Sequence, residues 1–578
     1  MTTAASNESQ YDVAIIGGGP GGSTVGGLLK KYAPQLRVLI LEREKFPREH
    51  IGESQLPDIS PVLAELGCWE QVEAANFPIK IGATYRWGQS RQLWDFEFLP
   101  LRDFKDEPRP AKFQGQRMQT AFQVERAIYD NILLRHAETL GCEVREENQV
   151  LDIGREEDRV TSLKLGSAET ITARHYVDAS GNVAILRRAL GVPVDCPTRL
   201  KNIAIWDYWT NAAWAVEIGV GGTRIQIMSQ PFGWLWFIPL GPTRTSIGLI
   251  LPVEHYKRTG KSPADLYYPA VHGDERIGKL VSGAACEGTV RTTTDWSFLA
   301  ERTVGENWLL VGESAGFADP ILSAGLTLTQ VGAREAAYTL LALDEGKHDP
   351  AWLKRHYDLN QRRRIRQHIR FADFWYAANG QFTDLQEHCK DIAAEAGLQM
   401  TAGQAWAWIA QGGFTNDVLG QAGIGGLALT GVKHVMQLLT GEPAEWQVNH
   451  YNVFTMNLEG ATREFLPKYE QGRVKPITCY VRDGRHLPVV GMYEVLVKVL
   501  ERTGDAATIL NHLLSLCRAQ LPPEHVRTGL NHALQALEVM VSEGWVKGTF
   551  DALRPRMKIF FPEERMIHPN RDPIPTTA

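Results

Sequence analysis

The spacing of apolar positions divides this chain into an α/β first part and a more helical remainder. Tyr11 to Ile16 (YDVAII) reads as a short buried strand, and a helical segment from Ser23 to Lys31 follows a run of glycines. Arg37 to Leu41 (RVLIL) predicts the next strand. Trp234-Leu235-Trp236-Phe237-Ile238-Pro239 alternates with period two, placing Trp234, Trp236 and Ile238 on one strand face and Leu235 and Phe237 on the other. Taken alone, that strand is compatible with ordinary aromatic core packing. Gln123 to Leu134 (QVERAIYDNILL) predicts an amphipathic helix, Trp308 to Val311 an apolar strand, and the run ending about Leu343 a long helix. From about Asp349 to Glu470 the pattern is mainly helical. After Pro476 a strand-like start leads to helices over Tyr493–Thr503, Ala506–Ala519 and Glu524–Ser542, then to the stretch Trp545–Phe550. That order is winged-helix-like, but no helix carries the dense basic face of a DNA reader, so a lid or docking role is the reading.

With 578 residues the chain has room for roughly two to four domains. It is 44% hydrophobic and 22% charged with a net charge of -6, which predicts a globular protein and gives no reason to expect a nucleic-acid partner. Membrane insertion is not expected. The start, MTTAASNESQ, lacks signal-peptide order, and even the apolar stretch Ala422–Leu439 carries Lys433 and His434. Cysteines at 68, 142, 196, 286, 389, 479 and 517 form no CxxC pair, which points to reduced thiols in the cytoplasm and against a zinc site. The expected domains are a core over 8–350, a helical region over 351–475, a winged-helix-like module over 476–565 and a tail over 566–578 whose last residues are disordered.

The glycine run is Gly17-Gly18-Gly19-Pro20-Gly21-Gly22, and Gly17, Gly19 and Gly22 fall on GxGxxG between a strand and a helix. Absent side chains there permit the tight turn, close approach to a pyrophosphate and helix–strand packing, while the helix N-terminus offers free amides to the phosphates. Glu42 ends the second strand, twenty residues after Gly22, where a carboxylate accepts adenosine ribose hydroxyls. No second phosphate-binding turn is evident, because Gly219–Gly222 and Gly423–Gly426 do not follow a strand and open a helix.

Four further segments carry a resemblance. Tyr176 to Leu186 (YVDASGNVAIL, with Asp178) and Trp308 to Pro320 (WLLVGESAGFADP) resemble segments of glutathione-reductase-like flavoprotein monooxygenases and halogenases. The WxWxIP hexapeptide, together with Ile51-Gly52-Glu53-Ser54-Gln55-Leu56-Pro57, resembles the flavin-dependent halogenases, in the phenol/pyrrole or carrier-tethered, chloramphenicol-type branch. The resemblance covers about residues 8 to 350. It implies a Rossmann-type FAD-binding α/β domain with a mainly β substrate subdomain over about 76–120 and 195–300.

It also implies site residues. Gly17, Gly19, Pro20, Gly22, Glu42, Glu53, Ser54, Arg126, Asp178, Glu313, Pro320, Gly325 and Leu326 are the expected FAD contacts, with Glu313 where the family usually has Asp. The amides of Gly325 and Leu326, at a helix N-terminus with Ser323 as its cap, are the candidate halide site. Asp295 is a candidate for the flavin edge, including a covalent carboxylate link. Lys80, between Ile79 and Ile81, is the expected catalytic amine, its pKa lowered by apolar neighbours. Trp234 and Trp236 are expected to shield the flavin chamber from organic substrate.

The implied reaction takes FADH2, oxygen and chloride or bromide to hypohalous acid, which meets Lys80 and halogenates an activated carbon. FADH2 is expected from a separate NAD(P)H-dependent reductase. Tryptophan halogenases carry a catalytic glutamate at the position of Leu322, so free tryptophan is disfavoured and a phenol, a pyrrole or a substrate on an acyl or peptidyl carrier protein is expected. An aromatic hydroxylase, a geranylgeranyl-reductase-like enzyme and a flavin-binding interaction protein are the competing readings. The basic cluster Arg362–Arg366 reads as a solvated helix face or a contact to phosphate or carrier.

Overall fold

The computed structural model describes residues 10–88, 92–99, 101–219, 221–379, 446–523, 526–555 and 567–572. The part of the expected helical region between 380 and 445 therefore lies outside the described residues, as do Cys389 and the last six residues. The chain divides into two compact units: Met1–Leu385 with Tyr469–Val474 and His568–Ala578, and Gln386–Lys468 with Lys475–Ile567.

In the first unit, strand β1 (Tyr11–Ile16) runs through the glycine turn into helix α1 (Pro20–Tyr32), then β2 (Val38–Leu41). The chain leaves for a second sheet with β3 (Ile79–Arg86) and β4 (Trp94–Glu97), and returns along α2 (Arg126–Thr139) to β5 (Glu143–Arg145) and β6 (Ala173–Asp178). Long strands β7 (Lys201–Thr210), β8 (Gly222–Gln230), β9 (Gly233–Pro239) and β10 (Arg244–Pro252) build the second sheet. Helices α3 (Pro263–Gly273) and α4 (Glu275–Leu280) cover part of it, and β11 (Arg291–Trp296) pairs with β7. Strand β12 (Trp308–Leu310), α5 (Gly325–Glu345) and α6 (Pro350–Ala378) complete the unit's main frame.

The first sheet is five-stranded and parallel, in the order β12-β6-β1-β2-β5. Its middle strands are buried on both faces, which is why YDVAII and VLIL read as continuous apolar runs. The second sheet is ten-stranded, and its main path includes β7-β10-β9-β8-β3-β4. The hexapeptide is the strand its alternation predicts: Leu235 and Phe237 join a core with Tyr267 and Ile277 of the covering helices, while Trp234 and Trp236 face the other way.

The second unit contains β13 (Val453–Met456), β14 (Thr462–Glu470) as far as Lys468, β15 (Arg473–Arg482) from Lys475, β16 (Arg485–Pro488), α7 (Gly491–Leu500), α8 (Ala506–Gln520), α9 (Val526–Ser542) and β17 (Val546–Thr549). Its three helices pack around Leu496, Ile509, Leu537 and Trp545. Strands over Val453–Met456 and Thr462–Glu470 replace the helical pattern expected up to Glu470. Both are short or largely exposed, so period-two burial leaves little trace in their sequence. Within the tail, β18 (Ile567–Pro569) is a strand beside β4, and the last residues, 573–578, lie outside the described residues. Among the described residues, no helix is long and apolar enough to cross a membrane and no group of three or more His, Cys, Asp or Glu could hold a metal.

Candidate active site

The glycine turn is dictated by contact. A Cβ on Gly22 would lie 1.9 Å from the Gly17 carbonyl oxygen, and one on Gly17, where φ is +106°, 2.3 Å from the Ala179 oxygen. Helix α1 therefore begins against the end of β1, with Gly19 as N-cap and Pro20 inside its first turn. No side chain caps it, so its first amides are free for an anion. Glu42 Oε2 accepts from the Gly18 amide at 2.7 Å and Oε1 from Glu44 at 2.9 Å, which fixes the carboxylate beside the turn. Arg48, not singled out by the sequence reading, stands over the turn: a Cβ on Gly19 would meet its guanidinium at 3.3 Å.

Two of the expected FAD contacts are also bonded within the protein. Arg126 gives all three of its nitrogens to the chain, two to Asp130 at 2.7 and 2.9 Å and the third to the carbonyls of Ile51 and Gly52. A buried guanidinium needs such partners, so Arg126 braces the loop that presents Glu53. Asp178 is likewise spent on capping, accepting from Ser180, Leu186 and Arg187. Ser323 has left-handed φ of +57° and is not the cap of α5; Ala324 holds that place without a side-chain bond, leaving the Gly325 and Leu326 amides uncapped. Gly312, Glu313, Phe317, Gly325 and Thr329 line a cavity at this helix start. Burial pushes the Glu313 carboxyl up, and Arg126 opposes the shift. Pro320 opens the short turn Pro320–Leu322. The side chain of Asp295 lies outside the described residues.

Lys80 owes its direction to a β-bulge. Neighbours Thr223 and Arg224 on β8 pair with Lys80 and Gly82 on β3, so the register slips by one residue at Ile81. Thr223 and Arg224 point to opposite faces, and their partners do too. Lys80 thus shares a face with Ala83 and Tyr85, and through cross-strand pairs with Phe96, Trp94, Trp236 and Trp234. The amine is 2% exposed, donates to the Gln55 carbonyl at 2.9 Å and sits 5.4 Å from the Phe98 ring. Burial pushes its pKa down to about 7.

Around it the aromatic face is hydrogen-bonded rather than merely packed. Trp234 Nε1 donates to the Tyr376 hydroxyl at 2.8 Å, and that hydroxyl donates to Asp319 at 3.2 Å. Trp236 Nε1 donates to Ser246 at 3.1 Å, and the two tryptophan rings are 6.2 Å apart. Glu53 accepts from the Tyr208 hydroxyl at 3.0 Å; burial raises its carboxyl to about 7, against the pull of Tyr208 and Arg126. Neither tyrosine is near its partner in sequence, and no local signal marks them.

The tryptophan halogenase family model matches residues 12–105 and 100–402, more than half of the chain. The chain belongs to this family of flavin-dependent halogenases. A tryptophan 2-halogenase of Chondromyces crocatus is 32% identical over 351 residues, 59% of this chain, and the match spans 63% of that relative's own length. A 1H-pyrrole-2-carbonyl-[peptidyl-carrier protein] chlorinase of Pseudomonas fluorescens is 30% identical over 388 residues, covering 65% of this chain and 86% of the relative. The fold matches that of the flavin-dependent halogenase CmlS with a TM-score of 0.70 at 23% identity, over 97% of this chain and 99% of that one. The myxobacterial chondrochloren halogenase CndH follows with 0.59 at 26%, over 75% and 97%.

Family membership implies FAD, and the residues present fit it. The turn at Gly17–Gly22 has no room for side chains, α1 has uncapped amides, and Glu42 retains acceptor capacity. Ser54 Oγ and the side-chain amides of Gln55 and Gln123 are buried with no partner in the protein, as expected where a polar cofactor and its waters complete the site. The basic cluster over 362–366 is tied into the chain instead: Arg362 pairs with Asp358, Arg364 with Glu335 and Arg366 with Asp195.

Proposed function

We propose that this chain is a FADH2-dependent halogenase acting on an electron-rich aromatic or similarly activated carbon, with a carrier-tethered substrate in secondary-metabolite biosynthesis. When bound, reduced FAD with oxygen supplies the two-electron oxidant that converts chloride or bromide to hypohalous acid. The observation that carries the reading is Lys80: a buried amine with a depressed pKa on the aromatic face of the substrate sheet.

An ammonium has no lone pair and cannot accept halogen. At a pKa of about 7, about half of Lys80 is free amine at neutral pH, against less than about 0.1% for an ordinary lysine. The free amine can hydrogen-bond hypohalous acid, or displace water from it: the N–H proton leaves with hydroxide as water and an N–halogen bond forms. Attack by the ring carbon on that halogen breaks the N–halogen bond, the nitrogen takes up a proton and returns to the amine, and the ring gives up one proton, so that no net proton is consumed. The wall of Trp234, Trp236, Tyr85 and Trp94 keeps bulk water from the path.

Leu322 lies in the turn Pro320–Leu322 and brings no carboxylate there, which supports a substrate more nucleophilic than indole. The pyrrole-carrier chlorinase among the relatives supports tethering. A separate reductase would supply FADH2, and the free thiols of Cys68, Cys142, Cys196, Cys286 and Cys517 fit a reducing cytoplasm.

The test supplies FAD, a reductase, NADH, oxygen and halide with free and carrier-bound phenols and pyrroles. Halogenated product is expected from the wild type, and none from Lys80→Ala while NADH oxidation continues. Wild-type rates in Lys80→Ala sink the lysine assignment; no product from the wild type on any probe sinks the halogenase reading.

A further inference from the structure

The far face of the substrate sheet carries a buried ionic cluster that the reaction does not use. Arg224, opposite Gly82, points there, and its Nη1 contacts Asp95 at 2.7 Å and Glu97 at 3.0 Å. Both carboxylates are on β4, and all three side chains are essentially fully buried. Arg276 of α4 is held by Gln226, and its two outer nitrogens have no hydrogen-bond partner.

The last described residues enter this cluster. The Asn570 amide nitrogen donates to the Leu93 carbonyl at 2.9 Å, extending the chain along the start of β4. Its side-chain amide bridges Asp95 and Asp572, each at 2.9 Å. His568 Nε2 lies 3.3 Å from Glu97. The Asp572 carboxylate pairs with Arg224 Nη2 and lies 3.9 Å from Arg276.

Strand β4 transmits this to the reaction side. Alternation sends Asp95 and Glu97 into the cluster and Trp94 and Phe96 to the opposite face. Trp94 stacks on Tyr85 at 4.7 Å, and Phe96 meets Phe98 at 5.4 Å, the ring that faces Lys80. Whatever fixes β4 therefore fixes one wall around the amine. Without the terminal segment, β4 would be a four-residue edge strand with two carboxylates facing outward.

We propose that the segment His568–Asp572 is a positioning element of the Lys80 pocket, acting through Arg224 and β4 from the opposite side of the sheet. This rests on the reading of Lys80 as the halogen-transferring amine. Loss of Asp572 takes from Arg276 the strongest of the carboxylates that offset its burial and leaves Arg224 with one fewer, so the cluster rearranges or admits water. Displacement of β4 then lets oxidant escape the pocket and loosens the fit of substrate against it.

The test compares full-length wild type, Asp572→Ala, Asp572→Glu and Asn570→Leu. Product formed per NADH oxidised is expected to fall in Asp572→Ala by on the order of tenfold, less than the roughly hundredfold of a full 1 Å misplacement, with free hypohalous acid rising in a trapping assay. Asp572→Glu restores most of the coupling. A second readout needs no flavin or substrate: the pH midpoint for chemical labelling of Lys80, read by peptide mass spectrometry, moves upward in Asp572→Ala as water enters. A loss of thermal stability with unchanged coupling and an unchanged labelling midpoint would overturn the proposal. If the wild type makes no halogenated product, the halogenase reading fails by itself, and the labelling midpoint still decides whether the segment acts on the pocket.

Discussion

Replacing Lys80 with methionine should abolish halogenation and make the protein more stable. Burial holds the amine near pKa 7, whereas the same side chain in the unfolded chain titrates near 10.5. Between those values the unfolded state binds more protons, so wild-type stability rises with pH across that window. At or below neutral pH the buried charge costs about 4 to 5 kcal/mol at most. Methionine has nearly the same length and no charge, so it removes this cost. It also removes the donor to the Gln55 carbonyl, and an unpaired buried acceptor returns roughly 1–3 kcal/mol of that gain. The net expectation is a stabilisation of about 1–4 kcal/mol, or several degrees in Tm for a body of this size. Thermal unfolding of both proteins from about pH 6 to 10 measures it: the gap should be widest at the acid end and close as pH approaches the free-lysine value. A Lys80→Met variant less stable than wild type at neutral pH, or a gap independent of pH, would refute a desolvated amine at this position.

Gly22→Ala puts a methyl group where the Gly17 carbonyl stands at 1.9 Å, so the turn must open and purified protein should carry no FAD absorbance; stoichiometric FAD would refute the cradle. Trp234→Phe removes the donor to Tyr376 at a cost of about 1 kcal/mol, and halogenation should persist at a reduced level with more free hypohalous acid. Complete loss of activity there would show a role beyond shielding. Glu53→Gln should stabilise the protein above neutral pH by up to about 3 kcal/mol, because burial raises this carboxyl from 4.5 to about 7 and the folded state increasingly bears the charge as pH climbs through that interval. Denaturation curves that keep a constant separation from pH 4 to 8, on the order of four units, would contradict it.

Much of the cofactor end is legible in sequence because its constraints are local. Tyr11–Ile16 is a strand over its full expected length, and the crowding at Gly17 and Gly22 is a property of residues five apart. The hexapeptide's two faces follow from alternation alone, and the structure separates Leu235 and Phe237 from the two tryptophans as that alternation requires. Lys80 is different: its segment was matched by resemblance, but alternation counted from Thr84 would put it on the wrong face. The partners that tune the site are invisible for another reason. Tyr208 reaches Glu53 across 155 positions and Tyr376 reaches Trp234 across 142, and only the folded sheet brings them together. Asn570 and Asp572 sit in a proline- and charge-rich tail whose composition says nothing of the distant Asp95 and Arg224 that hold their side chains.

The slip at Ile81 makes one strand serve two chemistries. Lys80 and Arg224 occupy neighbouring ladder positions, one amine poor in counter-charge and one guanidinium wrapped in carboxylates, with the sheet between them as an insulator. A residue inserted between Thr223 and Arg224 would give Ile81 a partner, and strict alternation from Gly82 would then turn Lys80 toward Asp95 and Glu97. There it would gain counterions and keep its proton at neutral pH. Lys80 is thus kept from its own sheet's acids by the break in register at Ile81, and strand regularity is what the sheet gives up to hold an amine without a counterion.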